Sequence, residues 1–154
     1  MRGCLRWLVP AVAICGCCYI WHFSLADGEH SAMTSGRALE LINGVLARMG
    51  TELRFSHQTV RKIGHFVGYF LLGAFVALAL WMFSLAHYAV LSLPLCVVAA
   101  IADECIQIFV PGRVAAVSDV MLDSLGAACG ILLFSCTVSL VSALWRRRRK
   151  KVQK

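Results

Sequence analysis

The stretch Asp103–Gly130, DECIQIFVPGRVAAVSDVMLDSLGAACG, decides how the rest of the chain is read. Its first residues close one apolar run, Val110-Pro111-Gly112 breaks the helix by turn chemistry, and Asp119 opens the next run. Into this setting it brings four carboxylates (Asp103, Glu104, Asp119, Asp123), one amide (Gln107) and one guanidinium (Arg113). An ionisable group at the centre of a bilayer costs at least ~2.5–3.5 kcal/mol on insertion scales, so such groups face protein or water and mark functional sites by default.

Working outward, apolar runs cover Leu5–Phe23, about Lys62–Ser84, Tyr88–Phe109 and Asp119–Leu144. About 20 helical residues at ~1.5 Å rise cross a hydrocarbon core of ~30 Å, so each run is long enough to span. The composition agrees: 60% of the residues are hydrophobic and 15% charged, against roughly 25% charged in a soluble domain. Mean hydropathy is +0.76. The pattern predicts an all-α integral membrane protein with four transmembrane helices. The length of 154 residues allows a single domain, 1–154, with its core over about 30–140 and a basic tail at 146–154.

Pro10 lies inside the first run, where membrane helices tolerate it. A secretory or lipoprotein leader is the rival reading, with Arg2 and Arg6 as its basic start and Ile14-Cys15-Gly16 before Cys17. Cys15 is a poor residue for that cleavage motif and the apolar run continues past it, which favours an uncleaved span. Seven of the eight cysteines fall inside apolar runs, where cysteine acts as a small hydrophobe; no disulfide framework is expected.

The net charge of +7 does not signal nucleic acid, because of where the charges stand. Arg146 to Arg149, Lys150, Lys151 and Lys154 crowd the end of the chain directly after an apolar run. That is the pattern of a cytoplasmic flank against anionic lipid, where each basic residue contributes about 1 kcal/mol. With four spans it predicts both termini inside.

Residues 24–61 form the one long polar segment. Within it Gly36–Met49 has a helical period, with Leu39, Ile42, Leu46 and Met49 on one side and Arg37, Glu40, Gly44 and Arg48 on another. Ser31, Thr34 or Ser35 would cap its start and Gly50 its end. A short amphipathic helix in this external loop either lies on the membrane as a lid or packs at the bundle edge.

Lys62, His65 and Tyr69 stand at i, i+3 and i+7 on one face of the second span. In the expected topology they enter from outside. Asp103, Glu104 and Gln107 end the third span at the same depth, Arg113 sits in the outer turn, and Asp119 and Asp123 open the fourth. Helix packing alone would scatter such groups, so their shared depth predicts one outward-facing site. Competing roles stand beside each residue. Asp103 and Glu104 point ~100° apart, so one lines the site while the other pairs with Arg113 or Lys62. Asp119 alternatively caps the fourth helix, Gly126-x-x-x-Gly130 reads as a helix-packing stripe, and His87 reads as an interface residue at the inner turn.

Three ordered blocks resemble the VanZ-like family of small bacterial membrane proteins, named for a teicoplanin-resistance factor. They are Lys62-x-x-His65-Phe66-x-x-Tyr69, then Asp103-Glu104-x-x-Gln107-x-Phe109-x-Pro111-Gly112-Arg113, then Asp119-Val120 with Gly126 and Gly130. Where the family pattern reads D-x-x-x-N, this chain has Asp119-x-x-x-Asp123. The resemblance implies a multi-pass protein of the bacterial cytoplasmic membrane, tied to the cell envelope and to glycopeptide tolerance.

Two functions follow. As a binding module, Lys62, His65, Tyr69, Asp103, Glu104, Gln107, Arg113, Asp119 and Asp123 engage a lipid headgroup, a lipid-linked cell-wall precursor or a lipoglycopeptide, with no metal required. Lys62 and Arg113 meet phosphate, and the carboxylates accept hydrogen bonds. As an enzyme acting on an envelope lipid, His65 or a carboxylate serves as acid or base and Arg113 stabilises developing charge, or the four carboxylates hold a divalent cation. The chain has no HExxH or GxSxG motif, and Ser118 reads as a helix cap rather than a nucleophile. A transporter fits poorly, since no internal repeat is visible.

Overall fold

The computed structural model describes residues 2–25, 28–50, 55–111, 113 and 115–152; side chains at 2–6, 28–35, 37–38 and 150–152 are not described. Five helices account for nearly all of it: α1 (Arg2–Leu25), α2 (Gly28–Arg48), α3 (His57–Met82), α4 (Tyr88–Gln107) and α5 (Val117–Val152). No strand occurs among the described residues. Four helices, α1, α3, α4 and α5, are long and apolar enough to cross a membrane. The chain is an all-α, four-span membrane protein.

Helix boundaries follow local chemistry. α3 starts at His57, earlier than the apolar run, because Ser56 is extended (φ −92°, ψ 162°) and its hydroxyl accepts from the Thr59 amide at 3.2 Å. α5 does not stop at the last apolar residue. Its arginines and lysines are good helix formers, and the helix runs on to Val152 with the Arg149 guanidinium 5.2 Å from the centre of the Trp145 ring. The polar segment also departs from expectation. α2 begins at Gly28, so Ser31, Thr34 and Ser35 lie inside it instead of capping it. Gly50 does end it, at φ +75°, a left-handed conformation suited to glycine. Asn43 then ties α2 to the start of α3: its side chain accepts from the Phe55 amide at 3.0 Å and donates to the Phe55 carbonyl at 3.4 Å. Gly112 of the expected turn, Arg54 and residues 153–154 lie outside the described residues.

The bundle is organised by α3, which meets each of the other helices. Its closest partner is α5. A Cβ at Gly126 would lie 2.5 Å from the Phe66 carbonyl oxygen, and one at Gly130 or Gly73 would collide with the backbone at Phe70 or Ala127. The pairs Lys62–Asp119, Phe66–Gly126 and Phe70–Gly130 advance together, so α3 and α5 run parallel. α4 and α1 complete the bundle, and the Trp21 indole N–H on α1 donates to the Ala99 carbonyl on α4 at 3.3 Å. Tyr69, Leu72, Cys96, Ala100 and Ala127 form the buried core. Large apolar side chains such as Val90, Val98 and Leu132 point away from the bundle, the inverse of a water-soluble protein and suited to lipid.

Gly130→Leu should therefore force α3 and α5 apart, because backbone atoms cannot rotate away; overpacking of this kind costs at least ~1–3 kcal/mol. Thermal denaturation of the detergent-solubilised protein checks this, with Gly16→Ala as a control where nothing lies within 4 Å of the added carbon.

Candidate functional site

Four helix ends meet at one end of the bundle. They are the C-terminal ends of α1 (Phe23, Ser24) and α4 (Asp103, Glu104, Gln107) and the N-terminal ends of α3 (Arg61, Lys62, His65) and α5 (Asp119, Asp123). The glycine contact between α3 and α5 sets the register. Lys62 Nζ lies 2.8 Å from Asp119 Oδ1 at the partly exposed rim. Asp119 thus faces α3 as an ion-pair partner.

One turn deeper, His65 Nδ1 stands 3.4 Å from Asp103 Oδ2 and 3.4 Å from Asp123 Oδ2. Both aspartates are fully buried. Gln107 fixes the Asp103 carboxylate, donating from Nε2 to Oδ2 at 3.3 Å while lying 3.4 Å from the Ser24 hydroxyl. Beyond this, Asp103 Oδ1 and both oxygens of Asp123 have no hydrogen-bond partner among the described residues. The approach of His65 to Asp123, at 3.4 Å, is a charge contact longer than a well-formed hydrogen bond.

Asp103 and Glu104 diverge as adjacent helical residues must, and Glu104 takes a backbone partner. Its Oε2 accepts the Ala116 amide at 2.9 Å and so holds the connection before α5. Arg113, in that connection, donates from Nη2 to the Phe23 carbonyl at 3.2 Å and closes it onto the end of α1. Burial, and then the neighbouring positive charge of Arg61, pull the Arg113 pKa below its ordinary value, while Asp103 and Glu104 oppose that shift. Tyr69, on the same face as His65, is fully buried in the core beneath the site and lies beside Trp21; its hydroxyl makes no well-formed hydrogen bond among the described residues.

A small cavity reaches this floor from the rim. Arg61, Lys62, His65, Glu104, Gln107, Asp119, Leu122 and Asp123 line it, and its volume of about 10 Å³ admits one water-sized group. The profile of the VanZ/LLP1 family matches residues 10–141, most of the chain and all of these residues. The chain belongs to the VanZ/LLP1 family. No curated protein and no solved structure matches it significantly.

In this VanZ/LLP1 protein the polar groups read from sequence do gather, but in two layers. Lys62, Asp119 and Glu104 occupy the rim and connection; His65, Asp103, Asp123 and Gln107 form the floor. Sequence reasoning missed the contribution of α1, namely Ser24 and the Phe23 carbonyl, and missed Arg61. The signal was present: an odd-numbered span must end where the next even-numbered span begins, so residues 21–25 had to share the depth of Lys62.

An ionised carboxylate buried without hydrogen bonds opposes folding. Asp123→Asn should therefore leave the helix bundle intact and match or raise its melting temperature in detergent with a chelator present. A fall of more than about 5 °C would instead make the carboxylate a structural tie.

Proposed function

We propose that this chain is a cell-envelope protein of the bacterial cytoplasmic membrane that binds the phosphate-bearing headgroup of a lipid or lipid-linked cell-wall precursor at the outer face, and thereby contributes to glycopeptide tolerance. The observation that carries this reading is the convergence of four helix ends on a rim holding Arg61 and Lys62, with Arg113 in the adjoining connection, above buried carboxylates. In this reading the dense basic end of α5 lies inside, both termini are cytoplasmic, and the rim faces outward. The chain folds as a single domain, with α2 beside the rim.

The cavity's size divides the labour among the residues. At about 10 Å³ it is too small for a headgroup, so a phosphate rests across the rim. There Lys62 offers a point charge beside Arg61, Asp119 is displaced from Lys62 as the anion arrives, and Arg113, tied to the Phe23 carbonyl, adds its charge from the adjoining connection. Glu104 holds the Ala116 amide and so fixes the start of α5 beside the rim. A second reading is supported by the floor. The His65 imidazole between two buried carboxylates is arranged as a general base or acid toward a group entering the cavity, which would make the protein an enzyme acting on the same lipid class.

Expression in a susceptible Gram-positive host, with membrane abundance matched by blot, tests the binding reading. Wild type should raise the teicoplanin inhibitory concentration, and Lys62→Ala and Arg113→Ala should return it to the vector-only value while Lys62→Arg keeps most of the protection. If folded Lys62→Ala and Arg113→Ala protect as well as wild type, the rim is not the binding surface.

A further inference from the structure

The floor of the site has a geometry that the headgroup reading leaves unexplained, and it stands independently of that reading. Three side chains from three different helices, His65 (α3), Asp103 (α4) and Asp123 (α5), bring one nitrogen and two carboxylate groups within 4.8 Å of one another. The nitrogen is 3.4 Å from an oxygen of each aspartate. Ligands held about 2.0–2.1 Å from a tetrahedral ion lie ~3.3–3.4 Å from each other, which matches the two nitrogen–oxygen separations, and the two carboxylates lie within 4.8 Å of each other. A hydrogen bond between imidazole and carboxylate would be shorter, ~2.7–3.2 Å, and linear.

Proximity of acids alone would not make a site. The second observation is that Asp123 is fully buried while neither of its oxygens has a hydrogen-bond partner among the described residues, and Asp103 Oδ1 is in the same state. Buried carboxylates are satisfied by donors, counter-charges or metal. His65 brings at most one positive charge to two carboxylates, and the nearby Lys62 is engaged with Asp119 at 2.8 Å. A divalent ion with neutral imidazole cancels the charge of both. Outer support is in place as well: Gln107 holds the Asp103 carboxylate, as metal ligands are commonly held by a second layer of hydrogen bonds.

We infer that His65 Nδ1, Asp103 and Asp123 form a binding site for a Zn²⁺-class divalent cation at the floor of the cavity. The three protein ligands leave a fourth position, and His65 and Asp123 both line the cavity, so a water molecule or a phosphate oxygen entering from the rim completes the set. The mixed nitrogen and oxygen donors select against Ca²⁺ and Mg²⁺, which take oxygen ligands in larger number.

The test uses the full chain, purified without a histidine tag in detergent and stripped with chelator. Co²⁺ titration should give a saturable, intense visible absorption typical of four-coordinate cobalt at about one ion per chain, displaced by Zn²⁺ and not by excess Mg²⁺ or Ca²⁺. X-ray absorption of the zinc form should show a nitrogen and oxygen shell at about 2.0–2.1 Å with no sulfur. Asp123→Asn and His65→Gln should weaken Zn²⁺ binding by more than ~100-fold, beyond the loss expected for an outer-layer partner. They keep every cysteine, so ions held by thiolates persist and are read as background. Wild type that takes up no Co²⁺, that gives a six-coordinate or thiolate spectrum, or that binds no more tightly than folded Asp123→Asn overturns the proposal. The wild-type spectrum decides the matter even where a variant fails to fold.

Discussion

Everything at the polar end of this protein depends on how closely the backbones of α3 and α5 approach. Gly73, Gly126 and Gly130 let the two helices touch along their main chains. In a bilayer such contact replaces the hydrophobic driving force that lipid does not supply, because small residues permit dispersion contacts over a long seam. The seam is also a positioning device. Parallel helices locked at Phe66–Gly126 and Phe70–Gly130 have no freedom left at the next turn up, so His65 must face Asp123, and Lys62 must face Asp119.

The stability gained along the seam offsets what the floor costs. Two buried carboxylates with unpartnered oxygens are an unfavourable thing to place inside an apolar bundle, and removing either charge would be the simple route to a more stable protein. Their neighbours relieve them only in part: Gln107 reaches one oxygen of Asp103 and His65 stands 3.4 Å from one oxygen of each aspartate, which leaves Asp103 Oδ1 and Asp123 Oδ1 without a partner among the described residues. Stored electrostatic cost of this kind is characteristic of sites that bind a charged species.

Much of this was legible in the sequence, for identifiable reasons. Apolar runs of membrane length fixed the four spans, and the acidic pairs Asp103-Glu104 and Asp119-x-x-x-Asp123 pointed to one end of the bundle. The stripe Gly126-x-x-x-Gly130 announced the seam. What could not be read was the division of roles. Periodicity says that Glu104 points away from Asp103, yet only the path of the 113–116 connection shows that a backbone amide waits there. The start of α2 was misplaced because a helix that begins in a Gly- and Ser-containing stretch gives no apolar period to detect. Tyr69 shares a face with His65 by spacing, but one more turn along that face is enough to pass from the cavity into the core.

The unusual length of α5 has a consequence for depth. From Asp123 to Arg146 the helix is unbroken over 23 residues, about 34 Å at 1.5 Å per residue, against a hydrocarbon thickness of about 30 Å. Were Trp145 and the arginines at one membrane surface, an α5 of this length would set Asp123 near the opposite one. That placement would put the polar floor within a turn or so of the aqueous boundary. A few ångströms of change in local bilayer thickness is comparable with that margin.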